Sequence, residues 1–268
     1  MKHTSAVRVR QGPASSAVEM IRMLLKEGAI TWRMPRKVMG LVVALPFIMI
    51  AMGVVSAIFG KEAYKLFTAE DGFAESLQVI LYFLALIMAL VFIRRQHRAG
   101  ERLILLLYLG LSVAFIFIIG EEISWGQRIV GWTTPDALAD INKQGETTLH
   151  NIHLVEDVFK WLQLVVGAYG VILPLTFLIW RPGKKWQELV DVLVPHYTLV
   201  LYFMPMFIWK LFRNLVEVPD EYSFVVAEFN EVIELVLAAG FVLFVIFQLR
   251  KLHAPRNSGN RLDAQLEG

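Results

Sequence analysis

Six predominantly apolar runs, each about as long as a helix must be to cross some 30 Å of hydrocarbon and several of them with few or no charges, leave this chain few possible folds. The predicted spans are about 38–60, 73–93, 103–120, 155–180, 189–212 and 223–249. With 56% hydrophobic residues and a mean hydropathy of +0.55 over 268 residues, the composition lies outside the usual soluble range. The expectation is an all-α, polytopic membrane protein built as one six-span bundle over 38–249. Before it, residues 1–37 form a basic N-terminal segment. There Val18, Ile21, Leu24 and Leu25 recur at helical spacing, opposite Glu19, Arg22 and Lys26, which suits an amphipathic helix lying in the membrane interface. A basic tail, 250–268, closes the chain. The polar start carries no cleavable signal-peptide pattern. Pro46, Pro174, Pro195 and Pro205 fall inside predicted spans and are candidate kink sites. KEAYKLFTAEDG reads as a short polar loop between the first two spans.

Lysine and arginine placement sets the expected orientation. With both termini cytoplasmic, 19 of the 26 basic residues fall on the inner side, including Arg94, Arg95, Arg98, Arg181, Lys184 and Lys185. Trp180 and Trp186 then flank the inner interface, and Trp125, Trp132 and Trp209 lie near the outer one. Seventeen of the 24 acids lie in outer loops or outer halves of spans. Acids contribute little to topology, so the skew marks the outer face as the working face.

The chemistry gathers in and around the 120–154 segment. Glu146, His150, Asn151, His153, Glu156 and Asp157 follow one another closely. If 146–157 is helical, Glu146, His150, His153 and Asp157 share one side and offer imidazole and carboxylate ligands to zinc, iron or manganese. Glu122 is the expected further ligand. The adjacent Glu121 and Glu122 project about 100° apart on a helix, so both can hardly face the core. Continued helix would place Glu122 beside Trp125 and Gln127 or Arg128, with Arg128 able to neutralise a carboxylate. Inside the spans, Glu75 and Gln78 share one helix side. Glu228, Glu231 and Glu234 lie roughly 6, 10 and 15 Å deep at about 1.5 Å per residue from Phe224. An acid at mid-bilayer needs partners and is by default a functional residue, although hydrogen-bonded structural glue is the plainer role. A Ser124–histidine pair is a weaker possibility, and His196 lies too far toward the inner side to join this group.

The absence of cysteine excludes disulfides, thiolate ligands and a cysteine nucleophile. No Walker loop, G-x-G-x-x-G or G-x-S-x-G occurs. The basic clusters read as topology determinants and anionic-lipid contacts, and no nucleic-acid partner is expected. The segments E-D-G-x-x-E (Glu70, Asp71, Gly72, Glu75), G-E-E-I-S-W-G-Q-R (Gly120 to Arg128) and N-x-Q-x-E-x-x-x-H-N (Asn142, Gln144, Glu146, His150, Asn151) resemble those of a group of uncharacterised bacterial multi-pass membrane proteins. That resemblance implies a bacterial inner membrane and brings no activity with it. From the residues themselves, one expectation is a metal-dependent enzyme acting on a lipid or lipid-linked substrate. In it His150, His153 and Glu122 are ligands, and Glu146, Glu231 or Glu234 serves as catalytic acid or base. A second is a proton- or cation-coupled transporter that uses Glu75, Glu228, Glu231 and Glu234. The third is a non-catalytic partner in envelope assembly.

Overall fold

The computed structural model describes residues 13–69, 72–96, 102–142, 145–149, 152–180 and 183–252. Among these residues there is no strand, and one isolated antiparallel bridge joins Asn142 to Ile152. The helices in chain order are α1 (Pro13–Thr31), α2 (Arg36–Ile58), α3 (Lys61–Thr68), α4 (Phe73–Gln96) and α5 (Arg102–Glu122). Two single-turn helices follow, α6 (Gln127–Val130) and α7 (Asp136–Ala139). The series ends with α8 (His153–Ile179), α9 (Lys184–Leu193), α10 (Val200–Leu215) and α11 (Asp220–Leu252). Among the described residues six helical segments are long and apolar enough to cross a membrane. The chain divides into two compact units, Met1–Ala44 with Arg256–Gly268, and Leu45–Pro255. The first holds α1 and the opening of α2, and the second holds everything described below.

The last span is the hub. In α11, 72% of the most apolar window is buried, against 22–33% in the other five spans. Lipid tails are as apolar as leucine, so close packing rather than water exclusion holds such helices together. Small residues accordingly mark the crossings. A Cβ on Gly167 of α8 would lie 2.6 Å from the Phe207 backbone nitrogen of α10. One on Gly240 of α11 would lie 2.8 Å from Tyr202 Cβ, also of α10.

Two expectations are corrected here. KEAYKLFTAEDG is not all loop: Lys61–Thr68 is helical, and Tyr64 Oη donates to Val225 O at 2.6 Å, fixing α3 to the start of α11. Its acids Glu70 and Asp71 lie outside the described residues. The fifth span is not one helix over 189–212, because helix α9 stops at Leu193 and α10 starts at Val200. The cause is Pro195, which has no N–H for the Asp191 carbonyl and disfavours helix at Val194. The freed carbonyls are taken by side chains from three other helices. Gln248 Nε2 (3.1 Å) and Lys251 Nζ (2.6 Å) donate to Asp191 O. Tyr108 Oη donates to Val192 O at 3.2 Å, and Tyr169 Oη donates to Leu193 O. Pro46, Pro174 and Pro205, by contrast, sit inside α2, α8 and α10 without ending them.

Candidate functional site

Five spans send a polar side chain to one place. Gln78 of α4 is fully buried, and its Nε2 donates to Glu122 Oε1 of α5 at 2.8 Å and to Glu234 Oε2 of α11 at 3.3 Å. Gln163 Nε2 of α8 donates to Glu234 Oε1 at 2.8 Å. Asn230 Nδ2, one turn earlier on α11, donates to the same oxygen. From α10, Lys210 Nζ donates to Asn230 Oδ1 at 2.7 Å and lies 3.9 Å from Glu234 Oε1. Glu234 therefore receives three amide donors with an ammonium close by, and it shares one donor with Glu122. The Lys210 and Glu234 side chains are only 8% and 13% exposed, so a charge here would be uncompensated without these partners. Glu75 is buried a turn from Gln78 and lies close enough to Glu122 to act on it electrostatically. Glu231 stands in the same relation to Lys210, and Glu228, half-buried farther up α11, to Tyr64. Gln78 Oε1 is buried without a hydrogen-bond partner among the described residues.

Aromatic rings close the network on one side. Tyr82 lies one turn beyond Gln78 on α4, while Phe115, Phe203 and Phe241 lie about two turns from Glu122, Lys210 and Glu234. All four displacements run toward the same end of the bundle. The rings touch, with centroids 5.8 Å apart for Tyr82–Phe115 and 5.4 Å for both Phe115–Phe241 and Phe203–Phe241. Farther along, Phe92 stacks on Tyr108 at 4.0 Å.

At the other end the segment after α5 folds into a cap. The helix ends at Glu122, and Ser124, Trp125 and Gly126 take φ of 49°, 54° and 88°. Left-handed backbone costs a side-chain-bearing residue roughly 1–2 kcal/mol, so tertiary contacts must hold the turn. Trp125 folds back to donate from Nε1 to Glu121 Oε1 at 2.7 Å, and its ring covers Gly120, where a Cβ would lie 2.9 Å from Trp125 Cε3. Leu149 N donates to Glu121 Oε2 at 2.7 Å, and Thr147 N to Gln127 Oε1 at 2.7 Å. Ser124 Oγ donates to Glu146 Oε2 at 2.7 Å. Asn142 Nδ2 reaches Thr148 O at 2.7 Å, beside the bridge from Asn142 to Ile152.

These contacts revise the reading of the acid–histidine stretch. Residues 145–149 are bends, not helix, and α8 begins at His153. Glu146 and Asp157 thus share no helix face: Glu146 belongs to the cap, and Asp157 is exposed with Lys160 Nζ 3.3 Å away. His150 and Asn151 lie outside the described residues, as do the side chains of His153 and Arg128. Among the described residues no three histidine or acid side chains are placed to hold a metal ion. Glu121 and Glu122 both have inward partners, because the helix end lets one serve the cap and the other the bundle. Gln127 is a cap residue. His196 receives a hydrogen bond from Thr198 N at 3.4 Å and heads the short turn before α10, a structural role.

Lys210 and Gln163 escaped the sequence reading. The available signal for Lys210 was a lysine inside the predicted fifth span, 189–212. Gln163 carried none beyond being an amide inside a span. No protein family, curated protein or solved structure matches this chain, so its own geometry must carry the functional reading.

Proposed function

We propose that this chain is an integral membrane enzyme performing acid–base chemistry on a lipid or lipid-linked substrate that enters from the cap side, the periplasmic face of a bacterial inner membrane with both termini cytoplasmic. The observation that supports it is the bridging of Glu122 and Glu234, carboxylates from different spans, by the single buried amide of Gln78. Two carboxyls sharing one donor are suited to a division of labour in which one accepts a proton while the other gives one. The free Gln78 Oε1 is an acceptor for a substrate hydroxyl or amine, and Lys210 is the cation available to a phosphate or developing oxyanion. In the metal-dependent form, His150 and His153 would join Glu122 in holding zinc, iron or manganese, which would supply an activated water. The aromatic layer beneath the network speaks against the transporter reading, which needs a polar path through to the other face.

The test is lipid mass spectrometry on vesicles of total membrane lipid carrying the purified protein. The expected result is a time-dependent lipid product with wild type that is lost in Glu234→Gln and in Glu122→Gln. Absence of any product, together with proton or cation flux abolished by Glu234→Gln, would favour the transporter. Stoichiometric transition metal that disappears in the His150→Ala/His153→Ala variant would support the metal-dependent form. Its absence from wild type would leave the carboxylate pair to act alone.

A further inference from the structure

Gln78 uses only half of its amide. Its Nε2 is engaged by Glu122 Oε1 at 2.8 Å and Glu234 Oε2 at 3.3 Å, while Oε1 is buried with no partner among the described residues. Turning the amide over would set Oε1 against those two acceptor oxygens, so the open group is an acceptor. The next turn of α4 carries Tyr82, four residues on and on the same side of the helix. Side chains on a helix lean toward its N-terminus, which brings the Tyr82 hydroxyl back toward Gln78. Glu234 and Glu122, the two acids that Gln78 bridges, both lie close enough to that hydroxyl to act on it electrostatically. Phe115 and Phe241 hold the Tyr82 ring, with centroids at 5.8 and 6.3 Å, and its hydroxyl makes no hydrogen bond to a described residue. One face of α4 thus turns an open acceptor and an open donor toward the same pair of carboxylates. Gln78 and Tyr82 are 0% and 3% exposed, so bulk solvent does not serve them.

We infer that Gln78 Oε1 and the Tyr82 hydroxyl hold one water molecule beside Glu122 and Glu234, and that this water is the reactant, which makes the proposed enzyme a hydrolase. The second half of the inference rests on the acid–base reading; the first half does not. A cation would satisfy Oε1 but not the phenolic O–H, and an anion would satisfy the O–H but not Oε1. A neutral hydroxyl serves both, accepting from Tyr82 and donating to Gln78. A water has a second hydrogen for a carboxylate oxygen, and three partners are usual for a buried water. The aromatic layer beside Tyr82 favours water over a substrate alcohol, whose carbon chain would need space among those rings. In the reaction the water oxygen bonds to the acyl carbon or phosphorus of a lipid ester while its proton passes to one carboxylate. The bond from that centre to the ester oxygen breaks, and the departing oxygen takes the proton of the other carboxyl. Return of the proton from the first carboxyl to the second resets the site, and no further reactant is needed.

X-ray hydroxyl-radical footprinting of the full chain in nanodiscs reads ordered internal water without any turnover, because radicals arise from the bound water itself. The expected result is oxidation of Tyr82 severalfold above that of Tyr108 and Tyr202, which are as deeply buried at 1% and 0% exposure. Tyr82 oxidised no more than those two would overturn the water site. The role of the water is read from the lipid product formed in water enriched in oxygen-18. One heavy oxygen per product molecule is expected, and a product without it, formed by transfer to an alcohol, would overturn hydrolysis while leaving the acid–base reading intact. Tyr82→Phe keeps the ring and should keep the melting temperature, with kcat lowered roughly tenfold, the scale of one lost hydrogen bond, at unchanged KM. An unchanged kcat would overturn the part given to Tyr82. If no lipid product forms at all, the acid–base reading fails, and the footprint at Tyr82 still decides the water site.

Discussion

Glu234 collects donors from Gln78, Gln163 and Asn230 and lies near Lys210, so its neighbours cannot be removed independently. Lys210→Met leaves a buried acid without its cation and Asn230 without a donor to Oδ1. Breaking one side of a buried pair typically costs about 3–5 kcal/mol, and thermal unfolding in detergent should show a loss on that scale. Lys210→Met/Glu234→Met removes both charges and should recover most of the loss; a double variant as unstable as the single would mean that the pair is not what the lysine serves. Glu121 does a different job a residue away from Glu122, because its two oxygens hold Trp125 and Leu149 of the cap. Glu121→Ala should therefore speed amide exchange at Leu149 and across 145–149 while leaving protection around Glu234 unchanged. Loss of protection at both places would mean that the cap and the network are one cooperative unit.

At the level of elements, α8 and α10 approach through Gly167 and Gly170. At Gly167 the neighbour is the Phe207 backbone, which cannot rotate out of the way. Gly167→Val should destabilise by at least about 1–3 kcal/mol, the usual cost of overpacking, whereas Gly183→Ala, in open space, should leave the melting temperature unchanged. The six spans were legible in sequence because about 20 apolar residues admit few alternatives in a bilayer. What was not legible depended on contacts between elements. The helix α3 is two turns long, with its apolar residues on one side, and its eight residues read as a polar loop until Tyr64 is seen bonding to α11. The break after α9 had a local signal in Pro195, but Pro174 and Pro205 give the same signal and their helices continue. The difference is that Gln248, Lys251, Tyr108 and Tyr169 stand ready for the freed carbonyls. The candidate site divided in the same way. Intramembrane Glu75, Gln78 and Glu234 announced themselves by the cost of their burial. The left-handed turn that returns Trp125 to Glu121, and the bends that take Glu146 off α8, arise from tertiary packing that spacing rules do not contain.

For the whole molecule, the proposed function depends on sidedness: the cap, the start of α11 and the carboxylate network lie toward one end of the bundle, with the aromatic layer between them and the other end. The chain has no cysteine, so single cysteines report position without background. Asp136 at the start of α7, Asp220 at the start of α11 and Gly183 before α9 are all exposed. They are better probes than Thr134, which accepts a hydrogen bond from Gln127, or Gln96, which is buried. With a membrane-impermeant thiol reagent on intact spheroplasts, the account predicts labelling of Asp136→Cys and Asp220→Cys, and labelling of Gly183→Cys only after the membrane is broken. Labelling of Gly183→Cys together with Asp220→Cys in intact cells would contradict a span over α10. Labelling of Gly183→Cys alone would place the carboxylate site on the cytoplasmic face.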